Sequence, residues 1–264
     1  MDKILDTAIK KLENYNINPL LAKQYYQYLV ENNEKDLKQT FNKGIQELIL
    51  GKPLQYIIGN VSFYGYKINV NKDVLIPRFE TEELIYYTLK YIKNNFLDNI
   101  SILDIGTGSG AIAITLKHLL PNSTIDAIDI STDALEIATN NAKLNNTSIN
   151  FFKSDIFSNV KKKYNLIISN PPYIGYNEQI MDIVKDNEPH IALFAKNNGL
   201  YYYEQILKNI NNHLEDKYLI AFEIGCKQGL SIIKIANNYL PSANIIIKKD
   251  MQNKDRFIFI NNFE

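Results

Sequence analysis

A single cysteine, Cys226, occurs in 264 residues. One thiol cannot build a disulfide scaffold or a multi-thiolate metal site, and the scarcity fits a reducing compartment. Long apolar runs are also missing. No stretch of consecutive apolar residues exceeds five, where a membrane-spanning helix needs about 20. The opening Met1-Asp2-Lys3-Ile4 carries charge inside the first helical pattern and lacks the apolar segment of a secretory leader. A cytoplasmic location is expected. Excess charge of one sign is absent as well, with Lys and Arg together at 29 and Asp and Glu together at 29. Proteins whose main partner is duplex nucleic acid depend on phosphate contacts and carry a basic surplus. The balance argues against that partner.

Arginine, proline and glycine are scarce, at 2, 8 and 11, beside 34 Asn, 27 Lys and 18 Tyr. This bias is the imprint of AT-rich codons. An Asn or Lys therefore carries little meaning by itself. A Gly, Pro or Arg that persists marks a place where geometry demands it. What is present is ample apolar material, 45% of the chain, enough for a large core.

The first fifty residues read as helices. Ile4, Leu5, Ala8, Ile9 and Leu12 share one face at helical spacing. Asn18-Pro19 is an N-cap followed by proline at the first helical position. Leu21, Ala22, Tyr25, Tyr26, Leu29 and Val30 repeat the stripe, and Leu37, Phe41, Ile45 and Leu48 make a third helix ended by Gly51-Lys52-Pro53. A small bundle over residues 1–58 is expected. The period then changes. Val61, Phe63, Ile68 and Val70 alternate around Tyr64-Gly65-Tyr66, which predicts a β-hairpin linker over 59–78. Thr81 or Glu80 is expected to cap a helix running to about Phe96.

From Ile100 the chain alternates strand and helix, with strands expected at 100–105, 124–129, 149–153, 164–169, 217–223, 243–249 and 256–261. Helices are expected at about 109–119, 131–144, 200–213 and 227–239. Such alternation builds a parallel sheet with helices on both faces, here over a domain of residues 79–264. Between the last two strands lies too short a segment for a helical crossover. The fold class is therefore α/β, a seven-stranded Rossmann-like sheet whose last strand is antiparallel.

Leu103-Asp104-Ile105-Gly106-Thr107-Gly108-Ser109-Gly110 sits where the first strand of that sheet meets its helix. Glycine there allows a tight turn and lets a ligand approach main-chain N–H groups. A plain strand–helix turn would also satisfy the pattern. A nicotinamide fingerprint would not, because its third glycine comes one residue later. The spacing resembles the first motif of S-adenosylmethionine-dependent methyltransferases. Asp129 ends the second strand, where a carboxylate can accept ribose hydroxyls. Asp155 follows the third and could receive an adenine amino group, with Ile156 or Phe157 covering the ring. Each acid alone would read as a cap or a solvated loop residue. In order at strand tips, they suggest a nucleoside pocket.

Asn170-Pro171-Pro172-Tyr173 follows the apolar strand Leu166–Ser169. A bare Pro-Pro would be a turn. The flanking Asn and Tyr match the signature of methyltransferases acting on a planar, conjugated nitrogen, either adenine N6 or a glutamine amide. Such a nitrogen is a poor nucleophile because its lone pair is delocalised. Two acceptors in a fixed fork, the Asn170 side-chain oxygen and the Pro171 carbonyl, can hold both its hydrogens and strengthen as charge develops on it. Tyr173 can lie against the flat group.

The whole chain resembles the release factor glutamine methyltransferases. Gly51-Lys52-Pro53-Leu54-Gln55-Tyr56-Ile57-Ile58-Gly59, Ile76-Pro77-Arg78-Phe79-Glu80-Thr81-Glu82, Asp104 to Gly110, and Asn170 to Tyr173 follow that family's pattern. So do Glu188-Pro189-His190-Ile191-Ala192-Leu193 with Gly199-Leu200, Glu223-Ile224-Gly225 with Gln228, and Asp255-Arg256-Phe257. The resemblance implies methyl transfer from S-adenosylmethionine, leaving S-adenosylhomocysteine, to the amide N5 of the Gly-Gly-Gln glutamine of bacterial peptide chain release factors 1 and 2. It implies catalytic Asn170, Pro171 and Tyr173, with Pro172 completing the substrate turn. Donor contacts are implied for Gly106, Thr107, Gly108, Ser109, Gly110, Asp129, Asp155, Ile156 and Asn170. No metal is expected, no membrane partner, and no direct nucleic-acid binding. The helices of 1–58 would dock the release factor.

Two positions depart from the family pattern. Phe79 stands where the family has a second proline, and residues 195–198 lack a glycine before Gly199-Leu200. Arg78 and Arg256 are open to two readings, a functional fork or a structural ion pair, for Arg78 with Glu80, Glu82 or Glu83. His118, His190 and His213 lack metal spacing, Cys226 is expected to be a buried small residue, and Lys161–Lys163 a solvated turn. An adenine-N6 methyltransferase of DNA or RNA shares the donor and the tetrapeptide. Against it stand the charge balance and the lack of an added target-recognition domain. A non-enzymatic S-adenosylmethionine-binding regulator would have no need of the Asn170 and Pro171 acceptors.

Overall fold

Apolar side chains recurring every three or four residues produce helices α1 (Lys3–Asn14), α2 (Leu20–Glu31), α3 (Leu37–Ile49) and the short α4 (Leu54–Ile58) in a computed structural model that describes residues 3–96 and 99–263. Met1 and Asp2 of the opening pattern lie outside the described residues, as do Leu97, Asp98 and Glu264. Turn chemistry sets the helix starts. Asn18 Oδ1 accepts the Leu20 N–H at 3.0 Å, and Asp36 Oδ1 accepts the Gln39 N–H at 3.4 Å. Leu12, Ala22, Tyr25, Leu29, Phe41, Ile45 and Leu48 form one buried cluster. A fully buried Leu or Ile contributes roughly 1.5–3 kcal/mol, so packing rather than propensity holds these short helices.

The chain separates into two compact units, one reaching to Asn60 and including Ile180–Asn187, the other made of Val61–Gln179 and Glu188 onward. A hairpin of β1 (Asn60–Phe63) and β2 (Tyr66–Asn69) follows α4 in the chain. Tyr64 and Gly65 at its turn have φ 52° and 83°, the left-handed pair that a two-residue hairpin turn requires. Next come α5 (Phe79–Asn95), β3 (Ser101–Ile105), α6 (Ala111–Leu119), β4 (Thr124–Asp129), α7 (Thr132–Leu144), β5 (Asn150–Lys153), β6 (Tyr164–Ser169) and β7 (Ile174–Gly175). After α8 (Asp182–Asn187), which belongs to the smaller unit, come α9 (His190–Leu193), β8 (Phe194–Ala195), α10 (Tyr201–Asn209) and β9 (Leu214–Glu223). The chain closes with α11 (Gly229–Tyr239), β10 (Asn244–Lys249) and β11 (Asp255–Asn261). The hairpin is fastened to α7, since Asn141 accepts the Asn69 N–H at 2.8 Å and donates to the Asn69 carbonyl at 2.9 Å.

The seven-stranded sheet has the order β10-β11-β9-β6-β3-β4-β5. β3 pairs parallel with β4 and β6, β4 with β5, and β6 with β9. β11 runs antiparallel to both β9 and β10. The expected fold class and the reversed final strand are therefore the ones observed. Alternation along β11 shows both faces covered. Ile258 and Ile260 join the cluster that holds Ile206 of α10 and Ile232 of α11, while Phe257 and Phe259 lie against Tyr87 and Tyr91 of α5. Strand order reverses at β3, whose neighbours lead to opposite edges. There the carboxyl ends of β3 and β6 open a crevice, the usual ligand position in such sheets. The Ser169 hydroxyl ties those two ends together by donating to the Ile105 carbonyl at 2.6 Å.

Candidate functional site

Every strand tip that faces this crevice carries a polar residue or a special turn. Gly106, Gly108 and Gly110 follow β3 with φ of 72°, 54° and 82°, conformations that side chains with a Cβ resist. A Cβ built on Gly106 or Gly108 would meet no atom within 4 Å, whereas one on Gly110 would lie 3.1 Å from the Cβ of Ala138. The first two glycines thus front open space. The third lets α6 approach α7. Asp104, completely buried, accepts the Thr107 hydroxyl at 2.7 Å, and burial pushes its carboxyl up to about 7.

Asp129 stands at the end of β4 and organises two turns at once. Its Oδ2 accepts the Gly108 N–H and its Oδ1 the Ser131 N–H, each at 2.9 Å. Burial raises its pKa, and these backbone bonds oppose that rise. Each carboxylate oxygen can accept a second donor. The cap of α7 is supplied by Ser131, whose Oγ accepts the Ala134 N–H at 3.2 Å. Past β5, Ile156 takes φ 48°, a region that costs a β-branched residue on the order of 1–3 kcal/mol. The Ser154 hydroxyl, donating to the Ile156 carbonyl at 2.7 Å, braces this bend.

Asn170 leaves β6 with its side-chain Nδ2 donating to Thr81 Oγ1 at 3.1 Å. Thr81 Oγ1 in turn donates to Glu223 Oε2 at 2.7 Å. Tyr173 donates its hydroxyl to Glu223 Oε1 at 3.3 Å, and Tyr203 donates to the Glu223 main-chain carbonyl at 2.7 Å. Burial drives the Glu223 carboxyl up to about 7, with the Thr81 hydrogen bond and the Arg256 charge acting against it. The Tyr173 phenol is raised by burial and by the Glu223 charge.

These pieces border one cleft of about 1090 Å³, its open mouth included. Gly106–Ser109, Asp129–Ser131, Ser154–Ile156 and Ser169–Pro172 line it, with Val74, Leu75 and Pro77 from the loop before α5, Thr81, and Ile191, Ala192 and Tyr202 from the far side. Its lining combines carboxylates, main-chain donors and apolar side chains. That combination suits a nucleoside with a polar tail. The loop before α5 is clamped by Glu188, buried at 4% exposure, which accepts the Ile76 N–H at 3.1 Å and pairs with the Arg78 guanidinium.

Several curated proteins similar to the chain share one name. It is 41% identical over 225 residues to a release factor glutamine methyltransferase of Streptococcus pneumoniae, covering 84% of this chain and 80% of that one. A protein of the same name from Staphylococcus aureus is 40% identical, over 85% and 81% of the two chains. The chain belongs to the release factor glutamine methyltransferase family. A family model for the methyltransferase small domain matches residues 87–188. The fold is also that of a methyltransferase from Pyrococcus furiosus, with TM-score 0.57 and 17% identity over 76% of this chain and 91% of that one. The chain is thus a methyltransferase by family.

In this family member the cleft gathers Gly106, Thr107, Gly108, Ser109, Asp129, Asp155, Ile156, Asn170, Pro171 and Pro172. Two of the residues expected there stand elsewhere. Gly110 packs against α7. Tyr173 does not border the cleft, because its ring packs on the core and its hydroxyl is committed to Glu223. It supports the turn instead of forming a wall. Thr81 does not cap α5, whose first residue is Phe79 and whose N-cap residue Arg78 makes no side-chain cap bond. Its hydroxyl bonds Glu223 instead, and Phe79 is exposed. Arg78 pairs with Glu188, remote in sequence and closer in space than the acids expected. Arg256 is structural too, with Nε donating to Asp250 Oδ2 at 3.2 Å and NH1 to the Ile224 carbonyl at 3.3 Å.

Cys226 is exposed, not buried, because it stands in the turn that Gly225 and Gln228 make after β9. Lys162 is not merely solvated, for it pairs with Asp126 at 2.9 Å. Asn197 and Asn198 take φ 53° and 51° ahead of Gly199 at 83°. Asparagine tolerates that region better than other side chains, so the loop keeps its bends without a second glycine. His118 and His213 stack on Tyr66 and Phe157 at 4.2 Å. Among the described residues no group of three His, Cys, Asp or Glu is placed to hold a metal ion, and no helix is long and apolar enough to cross a membrane. Sequence reading missed Tyr202, seen only as a helix start, and Val74, Leu75 and Pro77. Their position on the cleft has no local signature.

Proposed function

We propose that the chain methylates the side-chain amide N5 of the glutamine in the Gly-Gly-Gln loop of bacterial peptide chain release factors 1 and 2, with S-adenosylmethionine as donor and S-adenosylhomocysteine as product. The observation that carries this reading is the meeting of two features on one cleft. The open glycine turn Gly106–Ser109 with Asp129 and the Asn170-Pro171-Pro172 turn both line it.

S-adenosylmethionine, when bound, supplies a methyl group on a positively charged sulfur. Gly106 and Gly108 would leave room for its tail, Asp129 would accept the ribose hydroxyls, and Asp155 with Ile156 would receive the adenine. Asn170 Oδ1 and the Pro171 carbonyl accept the two hydrogens of the substrate amide. That holds the nitrogen in line with the methyl carbon, and such alignment is worth several kcal/mol. The amide nitrogen would take the methyl group as the carbon–sulfur bond breaks, with the bonding pair left on sulfur. The surplus proton then leaves the nitrogen for water. Both acceptors bind the nitrogen more strongly as it gains positive charge, which lowers the barrier. Tyr173 and Glu223 brace the turn from behind.

Residues 1–58 serve as the docking surface for the release factor, the hairpin of 59–78 links them to the rest, and residues 79–264 carry the transfer. A protein substrate is favoured over DNA or RNA by the net charge of zero and by the names of the relatives. Such a reaction belongs in the cytoplasm, where translation ends. The test is incubation with labelled methyl donor and either purified release factors or duplex DNA. Label should enter the release factors and be lost from a variant whose Gly-Gly-Gln glutamine is replaced. Label in DNA alone would overturn the reading. Asn170→Ala should lower kcat by far more than tenfold.

A further inference from the structure

An asparagine amide fits its site in two ways, with oxygen and NH₂ exchanged and the shape almost unchanged. Only one of them offers an acceptor to a substrate N–H. The other sets NH₂ against NH₂. We propose that Thr81 and Glu223 form a relay that selects the productive orientation of Asn170, which makes Thr81 a positioning residue for methyl transfer. This inference rests on the reading of Asn170 as an acceptor for the substrate amide.

The relay follows from counting protons. Thr81 Oγ1 lies 2.7 Å from Glu223 Oε2 and 3.1 Å from Asn170 Nδ2. Its hydroxyl has one hydrogen. Glu223 Oε2 accepts that hydrogen when the carboxyl is ionised, and equally when the carboxyl holds a proton on Oε1, on the side of the Tyr173 oxygen. The threonine oxygen has only lone pairs left for Asn170, so the amide must turn its NH₂ toward Thr81. Oδ1 then occupies the other arm of the planar group, and no protein donor among the described residues holds it. Thr81 and Glu223 are 5% and 1% exposed, so water is poorly placed to scramble the pattern. Glu223 itself is fixed from two sides, through the Tyr173 hydroxyl on Oε1 and the Tyr203 hydroxyl on its carbonyl. The three members come from the start of α5, the end of β6 and the end of β9.

The test uses the full chain with release factor as substrate. Thr81→Val keeps the shape and removes the hydroxyl; Thr81→Ser keeps the hydroxyl. The valine variant should lose at least about tenfold in kcat at saturating substrate, one hydrogen bond's worth. Because Thr81 also borders the cleft, that variant's affinity for S-adenosylmethionine by calorimetry should fall by much less than kcat does, while the serine variant keeps at least about half the wild-type rate. Should the valine variant fail to fold, Thr81→Ala is judged by the same criterion. Asn170→Ala is run beside them. If it is inactive while Thr81→Val turns over like wild type, the relay is refuted and the acceptor reading stands. If Asn170→Ala is itself active, both fall. A serine variant as impaired as the valine one, or a loss of donor affinity matching the loss of rate, also overturns the relay.

Discussion

Gln228 donates its side-chain Nε2 to the Tyr173 carbonyl at 2.8 Å. The same nitrogen reaches the Asn198 carbonyl at 3.1 Å, and its Oε1 accepts the Gly225 N–H at 2.9 Å. One side chain on the turn after β9 thus fixes the far end of the Asn170–Tyr173 turn to the loop before α10. Gly199 completes the contact, since a Cβ there would fall 1.9 Å from the Tyr173 carbonyl oxygen.

That geometry separates two glycines with the same backbone. Gly199 and Gly65 both have φ 83°, but a Cβ on Gly65 would meet nothing within 4 Å. Gly65→Ala should cost about 1–2 kcal/mol of left-handed strain and leave turnover intact. Gly199→Ala should add a collision of roughly 1–3 kcal/mol and displace the turn, so that kcat falls with Tm. Chemical denaturation and single-turnover rates on the two variants check this. Equal effects would mean that the loop yields without disturbing Tyr173.

Asp129→Ala should weaken S-adenosylmethionine by roughly 1–3 kcal/mol, the cost of losing a charge-assisted hydrogen bond. The change also frees the Gly108 and Ser131 N–H groups that Asp129 now holds. Calorimetric titration reads the effect directly, and unchanged affinity would move the ribose contact elsewhere.

Asp104 and Glu223 make stability fall with pH. Their folded pKa values lie at about 7 through burial, above the roughly 3.9 and 4.3 of an unfolded chain. Between those limits the unfolded chain has lost the proton and the folded protein keeps it. Unfolding then releases protons, so stability drops as pH rises from about 4 toward 7 and levels off above. Asp104→Asn removes one of the two contributions. Its unfolding free energy by chemical denaturation should decline less from pH 5 to pH 8 than that of the wild type, by an amount on the order of 2–3 kcal/mol. Parallel curves for the two proteins would show that Asp104 ionises freely.

The helices of residues 1–58 should matter for a folded substrate and little for a short one. A Gly-Gly-Gln loop offers almost no side-chain surface, so a second contact would recruit remote binding energy. Deleting 1–58 should lower kcat/KM on intact release factor much more than on a Gly-Gly-Gln peptide. Equal losses, or a shortened chain that does not fold, would leave these helices a structural role only.

Period and punctuation settled much of this protein before any coordinates. Strand–helix alternation after Ile100, too short a gap for a crossover before Asp255, and the glycine and proline clusters are local signals. Backbone preference and hydrophobic spacing write them directly into neighbouring residues, so the sheet, its reversed last strand, and the Gly106 and Asn170 turns were all legible. Only the tertiary structure decided what supports those turns. Thr81 read as a helix cap and Arg78 as a partner of nearby acids, because sequence reasoning pairs polar groups with close neighbours. In the fold their partners are Glu223 and Glu188, 142 and 110 residues away. A buried polar group takes whichever partner packing brings within about 3 Å, and chain separation has no bearing on that choice. The same holds for Tyr173. Its tetrapeptide marked it for the cleft, but burial of its ring in the core turned its hydroxyl to Glu223.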